Sequence, residues 1–292
     1  MPVQSLSSPL RQEADRLASG YPSLLAEADR VAALVAAGVH GRRRAGQGET
    51  FWQYRPYDTS DPANRIDWRR SARDDSIFVR DNEWEAANSI YIWRDGGPGM
   101  EWSSKKSLPT KRDRGSVLSL AIASLLMRGG ERCAVFGESE RPRAGRVGYE
   151  RFAERLVRSD GAISTLSSRV PKHAKLLIAS DFLTEPNDWP HRLATLAARP
   201  ASGVILHIID PAEESFPFKG RVEFRTPGGW IAPFSLGRAE RAKEEYRAKF
   251  QAHCDRIEDT AQQLGLTLIR HRTDQPPAPV VTSLYQAFDG SL

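Results

Sequence analysis

The 292-residue sequence predicts an α/β fold: a mainly parallel sheet sandwiched by helices, with an N-terminal helical segment and a small β-rich extension. Two observations predict the sheet and a third sets the front of the chain apart. Short apolar runs rich in β-branched residues recur at 89–94 (SIYIWR), 132–136, 174–180, 204–209 and near 266–270. Stretches of helical periodicity separate them, at 112–128, 149–159, 189–199 and 238–264. Apolar strands alternating with amphipathic helices suit a sheet covered on both faces. Residues before 85 follow neither rhythm, so the expected division is a helical segment at 1–40, a β-rich extension at 41–84 and an α/β domain at 85–292.

Taken in order, residues 8–37 place Leu10, Leu17, Leu24, Leu25, Val31, Leu34 and Val35 at helical spacings. Gly20 and Pro22 interrupt that pattern and predict two helices rather than one. Arg42, Arg43 and Arg44 follow, read as a solvated loop or as a contact to phosphate or an acidic partner. Residues 49–55 and 76–83 are extended and aromatic, with turn chemistry at Ser60-Asp61-Pro62 between them, which predicts a hairpin or small β-subdomain. A second hairpin is expected at 220–234, around Gly228-Gly229.

Composition bounds the function. Forty per cent hydrophobic and 27% charged residues is ordinary globular usage, which sets disorder aside. The net charge of +5 permits contact with nucleic acid, anionic lipid or an acidic protein face and selects none of them. Inside the basic block at 55–75 the arginines are offset by Asp58, Asp61, Asp67, Asp74 and Asp75, which argues against nucleic acid. Cys133 and Cys254 read as free buried thiols. The start of the sequence shows no secretory pattern, and the longest nearly apolar run, 117–127, is about half the ~20 residues a membrane helix needs. The expectation is a soluble, cytoplasmic protein, with peripheral attachment to a membrane complex left open.

Catalytic constellations are weak. The six histidines do not fall at metal-ligand spacing, and His207, inside an apolar strand run, reads as a core residue. No Ser or Cys sits in a nucleophile-elbow context, and Gly46-x-Gly48 lacks the Lys-Ser/Thr of a phosphate-binding loop. Residues 46–95 are the exception to this blandness. They interleave Trp52, Trp68 and Trp84 with Arg55, Tyr57, Asp61, Arg65, Asp67, Arg69 and Arg73, too closely for a freely hydrated face. One reading is a lattice of arginine–carboxylate pairs stacked on indoles that pins the extension to its domain. The other is a partner-binding surface.

The order Gly-x-Gly-Glu-x-Phe, Arg55-Pro-Tyr57, Asp61, Arg65-Ile-Asp67-Trp68 and Ala72-Arg73, followed by a strand ending in Asp95, resembles the bacterial "domain of unknown function 58" family. The resemblance runs from about residue 38 onward and implies a von Willebrand factor type A-like domain behind an N-terminal extension. It further implies partnership with MoxR-type AAA+ ATPases and membrane-anchored type A proteins, in assembly or stress-related complexes.

It also implies a place for a site. In an open α/β sheet ligands bind outside the carboxyl ends of the strands, where strand order reverses. Asp95 after SIYIWR and Asp181 after LLIAS stand at strand ends and match the first and last acidic positions of the type A metal-ion-dependent adhesion site, which holds Mg²⁺ with carboxylates, hydroxyls and water. Both serine positions of that pattern are Gly97 and Gly99 here, and residues 143–148, where the threonine loop is expected, offer no hydroxyl. The site is therefore expected to be degenerate. The reading is a non-enzymatic protein-interaction module without a cofactor; the alternative is a Mg²⁺-dependent ligand-binding domain using Asp95 and Asp181.

Overall fold

The computed structural model describes residues 9–39, 51–56, 71, 78–82, 89–167, 171, 174–184, 187–197, 202–225 and 233–289. The chain divides into two compact units, one formed by Met1–Val39 with Asn88–Leu292 and one by His40–Ala87.

The larger unit is built on five parallel strands, β3 (Ser89–Arg94), β4 (Arg132–Val135), β5 (Lys175–Ser180), β6 (Gly203–Ile209) and β9 (Thr267–Arg272), in the order β4-β3-β5-β6-β9. The α/β fold and the strand positions agree with the sequence reading to within a few residues. Alternate side chains of each strand enter separate cores. Ile90, Ile92, Leu177, Ala179, Leu206 and Ile208 face one way, against α2 (Lys111–Arg128), α3 (Gly145–Arg158) and α7 (Pro277–Asp289). Trp93, Leu176, Ile178 and Ile205 face the other, against α4 (Trp189–Ala197) and α6 (Lys243–Gln263). This two-sided burial is why the strands read as continuous apolar runs.

Helix α1 (Pro9–Val39) is a single helix with Pro22 inside it, not the two helices expected. Its second half is fixed by tertiary packing, because Ala28, Val31, Ala32 and Val35 are buried in the cluster that contains α2 and α7. Burial worth about 1.5–3 kcal/mol per large aliphatic side chain offsets the ~3 kcal/mol that an interior proline costs. The same contact explains the apolar run 117–127. Helix α2 has the sheet on one face and α1 on another, so every residue from Gly115 to Met127 is buried. No described helix is long and apolar enough to cross a membrane.

The C-terminal helix α7 is not among the helical stretches expected from the sequence. Pro277 is its first residue, where a missing N–H costs nothing. A short helix α5 (Pro211–Ser215) follows β6 directly, and β7 (Val222–Phe224) pairs antiparallel with β8 (Phe234–Leu236) as the expected hairpin. Cys133 and Cys254 are free and buried, as expected.

In the smaller unit, β1 (Phe51–Pro56) pairs antiparallel with β2 (Phe78–Asn82) in a two-stranded sheet of its own, with a register shift between Phe51 and Gln53. Arg55 stands opposite Val79. Tyr57, Asp61, Arg65, Asp67, Trp68 and Arg73 lie outside the described residues, as do the Arg42–Arg44 triplet and Gly46-x-Gly48.

Candidate functional site at the strand-order reversal

After β3 the chain moves outward to β4, then crosses back to β5 on the other side of β3. The reversal therefore falls between β3 and β5, and Asp95 and Asp181 are the residues that leave these two strands at their carboxyl ends. Asp95 N donates to Ala179 O at 2.8 Å, which sets Asp95 level with Ser180. Both aspartates are buried, 2% and 1% exposed. Both stand at the strand ends where the sequence reading set them.

Their environment is closed from within the chain. Asp95 Oδ1 accepts from Gly97 N at 2.7 Å and Oδ2 from the Ser180 hydroxyl at 2.6 Å. Burial, then the charge of Asp181, pushes its pKa up to about 6 against those two hydrogen bonds. Asp181 Oδ1 accepts from Leu183 N at 2.9 Å, and Oδ2 accepts from Lys111 Nζ at 2.7 Å. Phe182, between them, takes a left-handed backbone (φ 57°), held by its N–H on Ser180 Oγ and by edge-to-face contacts with Trp189 and His207. A non-glycine residue there costs about 1–3 kcal/mol and persists only where packing dictates it.

Lys111, the first residue of α2, is 1% exposed. Its ammonium also donates to Glu213 Oε1 and lies 5.8 Å from the ring centre of Trp102. Burial pulls its pKa down, but Asp181 and Glu213 outweigh burial and the net shift is upward. Glu213 is raised by burial against the pull of Lys111. It is set in place by the capping box of α5: its Oε2 accepts from Asp210 N, and Asp210 Oδ1 accepts from Ala212 N, both at 2.8 Å. Asp210 Oδ2 accepts from Ser104 N at 3.0 Å, which ties the end of β6 to the loop after β3. Both oxygens of Asp95, Asp181, Asp210 and Glu213 thus have a donor from the chain itself.

Beneath the site, Arg94 is 2% exposed and donates to Leu156 O at 3.0 Å, Ser159 O at 2.8 Å and Asp95 O at 3.3 Å. It caps the carbonyl end of α3, where a cation is favoured, while burial first and Arg112 second lower its pKa to about 10.

One expectation is corrected. Residues 143–148 are not beside Asp95. After β4 the chain turns back, Arg143 pairs antiparallel with Cys133, and α3 starts there and ends at Arg94. The loop that reaches the site is Ser159-Asp160-Gly161, whose Gly161 O accepts from Gly96 N at 3.2 Å. Its hydroxyl, Ser159 Oγ, accepts from Gly161 N, and the exposed Asp160 accepts from Ala162 N. Ser103 bonds the Lys105 and Leu108 carbonyls. The hydroxyl beside Gly97 is Thr184, in the turn after Asp181.

The sequence reading also missed Lys111, Glu213 and Asp210. Asp210-Pro-Ala-Glu213 carries the local signature of a capped helix start. Lys111 carries no local signal, since its partners are 70 and 102 residues away.

These residues do not fit a divalent cation. Among the described residues no three His, Cys, Asp or Glu side chains converge as metal ligands. An ammonium already occupies Asp181 Oδ2; a dication ~4 Å from it would meet repulsion on the order of 8 kcal/mol at an effective dielectric of ~20. Gly97 and Gly99 are also not vacant serine positions. A Cβ at Gly97 would lie 2.8 Å from Thr184 Oγ1, and one at Gly99 would lie 2.8 Å from Asp181 Oδ2. His207 is a buried core residue, as expected, with its pKa lowered to about 3 by burial and then by His253.

With this geometry, the family can be stated. The family model described as "Protein of unknown function DUF58" matches residues 53–257, more than two thirds of the chain, and the chain belongs to that family. No curated protein and no solved structure matches it.

Proposed function

We propose that the chain is a non-enzymatic protein-interaction module, cytoplasmic or peripheral to a membrane complex, that docks a partner on the loops at the carboxyl edge of its sheet. One observation carries the reading: both oxygens of each strand-end carboxylate, and of Glu213, accept from donors of the chain itself. Groups so engaged serve to fix loops rather than to exchange protons. The loop after β3 is tied to 159–161 by Gly96 N on Gly161 O, to the end of β5 by the Asp95–Ser180 bond and to the end of β6 by Ser104 N on Asp210. A pre-ordered surface loses little entropy on association. Leu183, 38% exposed on the turn that Asp181 fixes, is the apolar anchor of that surface.

The partner implied by the family resemblance is a MoxR-type AAA+ ATPase acting with membrane-anchored type A proteins in assembly or stress-related complexes. The test is binding of the purified chain to the purified ATPase of the same organism, by interferometry, with Leu183→Asp beside wild type. Tenfold or greater weakening with an unchanged melting temperature supports the reading. An absence of binding, or binding indifferent to Leu183→Asp and Thr184→Arg alike, overturns it.

A further inference from the structure

We propose that the Lys111 ammonium is the resident cation of the strand-order reversal, built into the chain at the place where the family resemblance implies a divalent metal. The inference concerns the site itself and holds whichever partner docks.

Three features carry it. A lysine at the first position of a helix faces the positive end of the helix dipole, so α2 gives it no reason to be there. What holds it are Asp181 Oδ2 at 2.7 Å, Glu213 Oε1 and the face of Trp102, which together surround an ammonium that is 1% exposed. Asp181 follows β5 and Glu213 sits on α5 just after β6, and the other oxygen of each accepts from a backbone amide, Leu183 N and Asp210 N, so each carboxylate has an anchor that does not depend on the cation.

The glycine at 99 completes the argument. Any Cβ there would press on the same Asp181 Oδ2 that receives Lys111. Glycine at 99 and lysine at 111 thus belong to one arrangement: the absence of a side chain at 99 leaves Asp181 Oδ2 to the ammonium. Asp95 needs no cation, because Ser180 and Gly97 N occupy its oxygens.

The test is calorimetric and thermal titration of the full chain with Mg²⁺ or Mn²⁺ alone. Wild type should give no saturable heat at millimolar metal. Lys111→Ala leaves Asp181 and Glu213 facing a space of ammonium size, and should gain saturable Mn²⁺ binding with a rise in melting temperature of about 5 °C or more. Adding Asp181→Asn should abolish that gain. Where Lys111→Ala does not fold unaided, refolding with and without Mn²⁺ makes the same comparison. Saturable wild-type binding that disappears in Asp181→Asn would overturn the proposal. A Lys111→Ala chain indifferent to Mn²⁺, folded or not, would overturn it too.

Discussion

Lys111 Nζ and Asp181 Oδ2 lie 2.7 Å apart with both side chains about 1% exposed, although 70 residues separate them. This pair joins the start of α2 to the end of β5 across the reversal of strand order. Breaking a buried pair by removing one member costs about 3–5 kcal/mol, because the other charge is left without compensation.

Adding side chains at Gly97 and Gly99 should strain the site rather than create a metal site. Gly97→Ser meets Thr184 Oγ1 and Gly99→Ser meets Asp181 Oδ2, each at 2.8 Å from the new Cβ. Each is expected to lose about 1–3 kcal/mol in urea unfolding, with no response to Mg²⁺. Gly96→Ala should cost more, since its Cβ would fall inside the Asp160 backbone carbonyl.

Stability should fall as the solution is acidified below about pH 6.5. His207 and His271 are held near pKa values of about 3 and about 4 by burial, so between pH 6.5 and those values the unfolded chain binds protons the folded chain refuses. Each contributes stability that is present above pH 6.5 and lost on the way down. Asp95, raised to about 6, has the opposite sign: its contribution is full below about pH 3.8 and is lost as pH rises through 6. His253, lowered by burial, and Glu213, raised by it, add in the same two opposing senses. Between pH 6 and 4 the two histidines titrate against the single opposing carboxyl of Asp95, so their balance is a loss of stability as the pH falls. Urea titrations at several pH values should show a steeper loss in Asp95→Asn and a shallower one in His207→Phe. Unchanged slopes in both would contradict the assignment.

Arg94→Met should loosen the end of α3. The substitution removes the donor from Leu156 O, which is buried, and from Ser159 O, which is partly so, at a cost of about 2–4 kcal/mol. Hydrogen exchange should quicken at Ser159 N and at Gly96 N, which bonds Gly161 O. Protection equal to wild type at both amides would show that the loop holds without the guanidinium.

How much of this was readable in advance depended on the range of the interactions. The strands were legible because burial on both faces leaves an unbroken apolar run, and the aspartates that end SIYIWR and KLLIAS were legible as strand ends. Helix α1 was misread at Pro22 because the compensation is tertiary, supplied by packing of residues 28–35. The loop at 143–148 was misplaced because the turn back after β4 rests on one antiparallel bridge, Cys133–Arg143, too short to leave a sequence pattern. Lys111 was invisible for the deepest reason. A lysine one residue into a helix reads as surface, and only the topology brings Asp181 and Glu213 over it.

The most direct measurement of the central claim is a double-mutant cycle on Lys111→Met and Asp181→Asn, read by equilibrium unfolding in metal-free buffer. The account predicts that each single change costs about 3–5 kcal/mol and that the double variant costs about as much as either alone, a coupling of about 3–5 kcal/mol. Losses that add to within about 0.5 kcal/mol would show the two residues to be independent, and the chain-borne cation would then not be what closes the site.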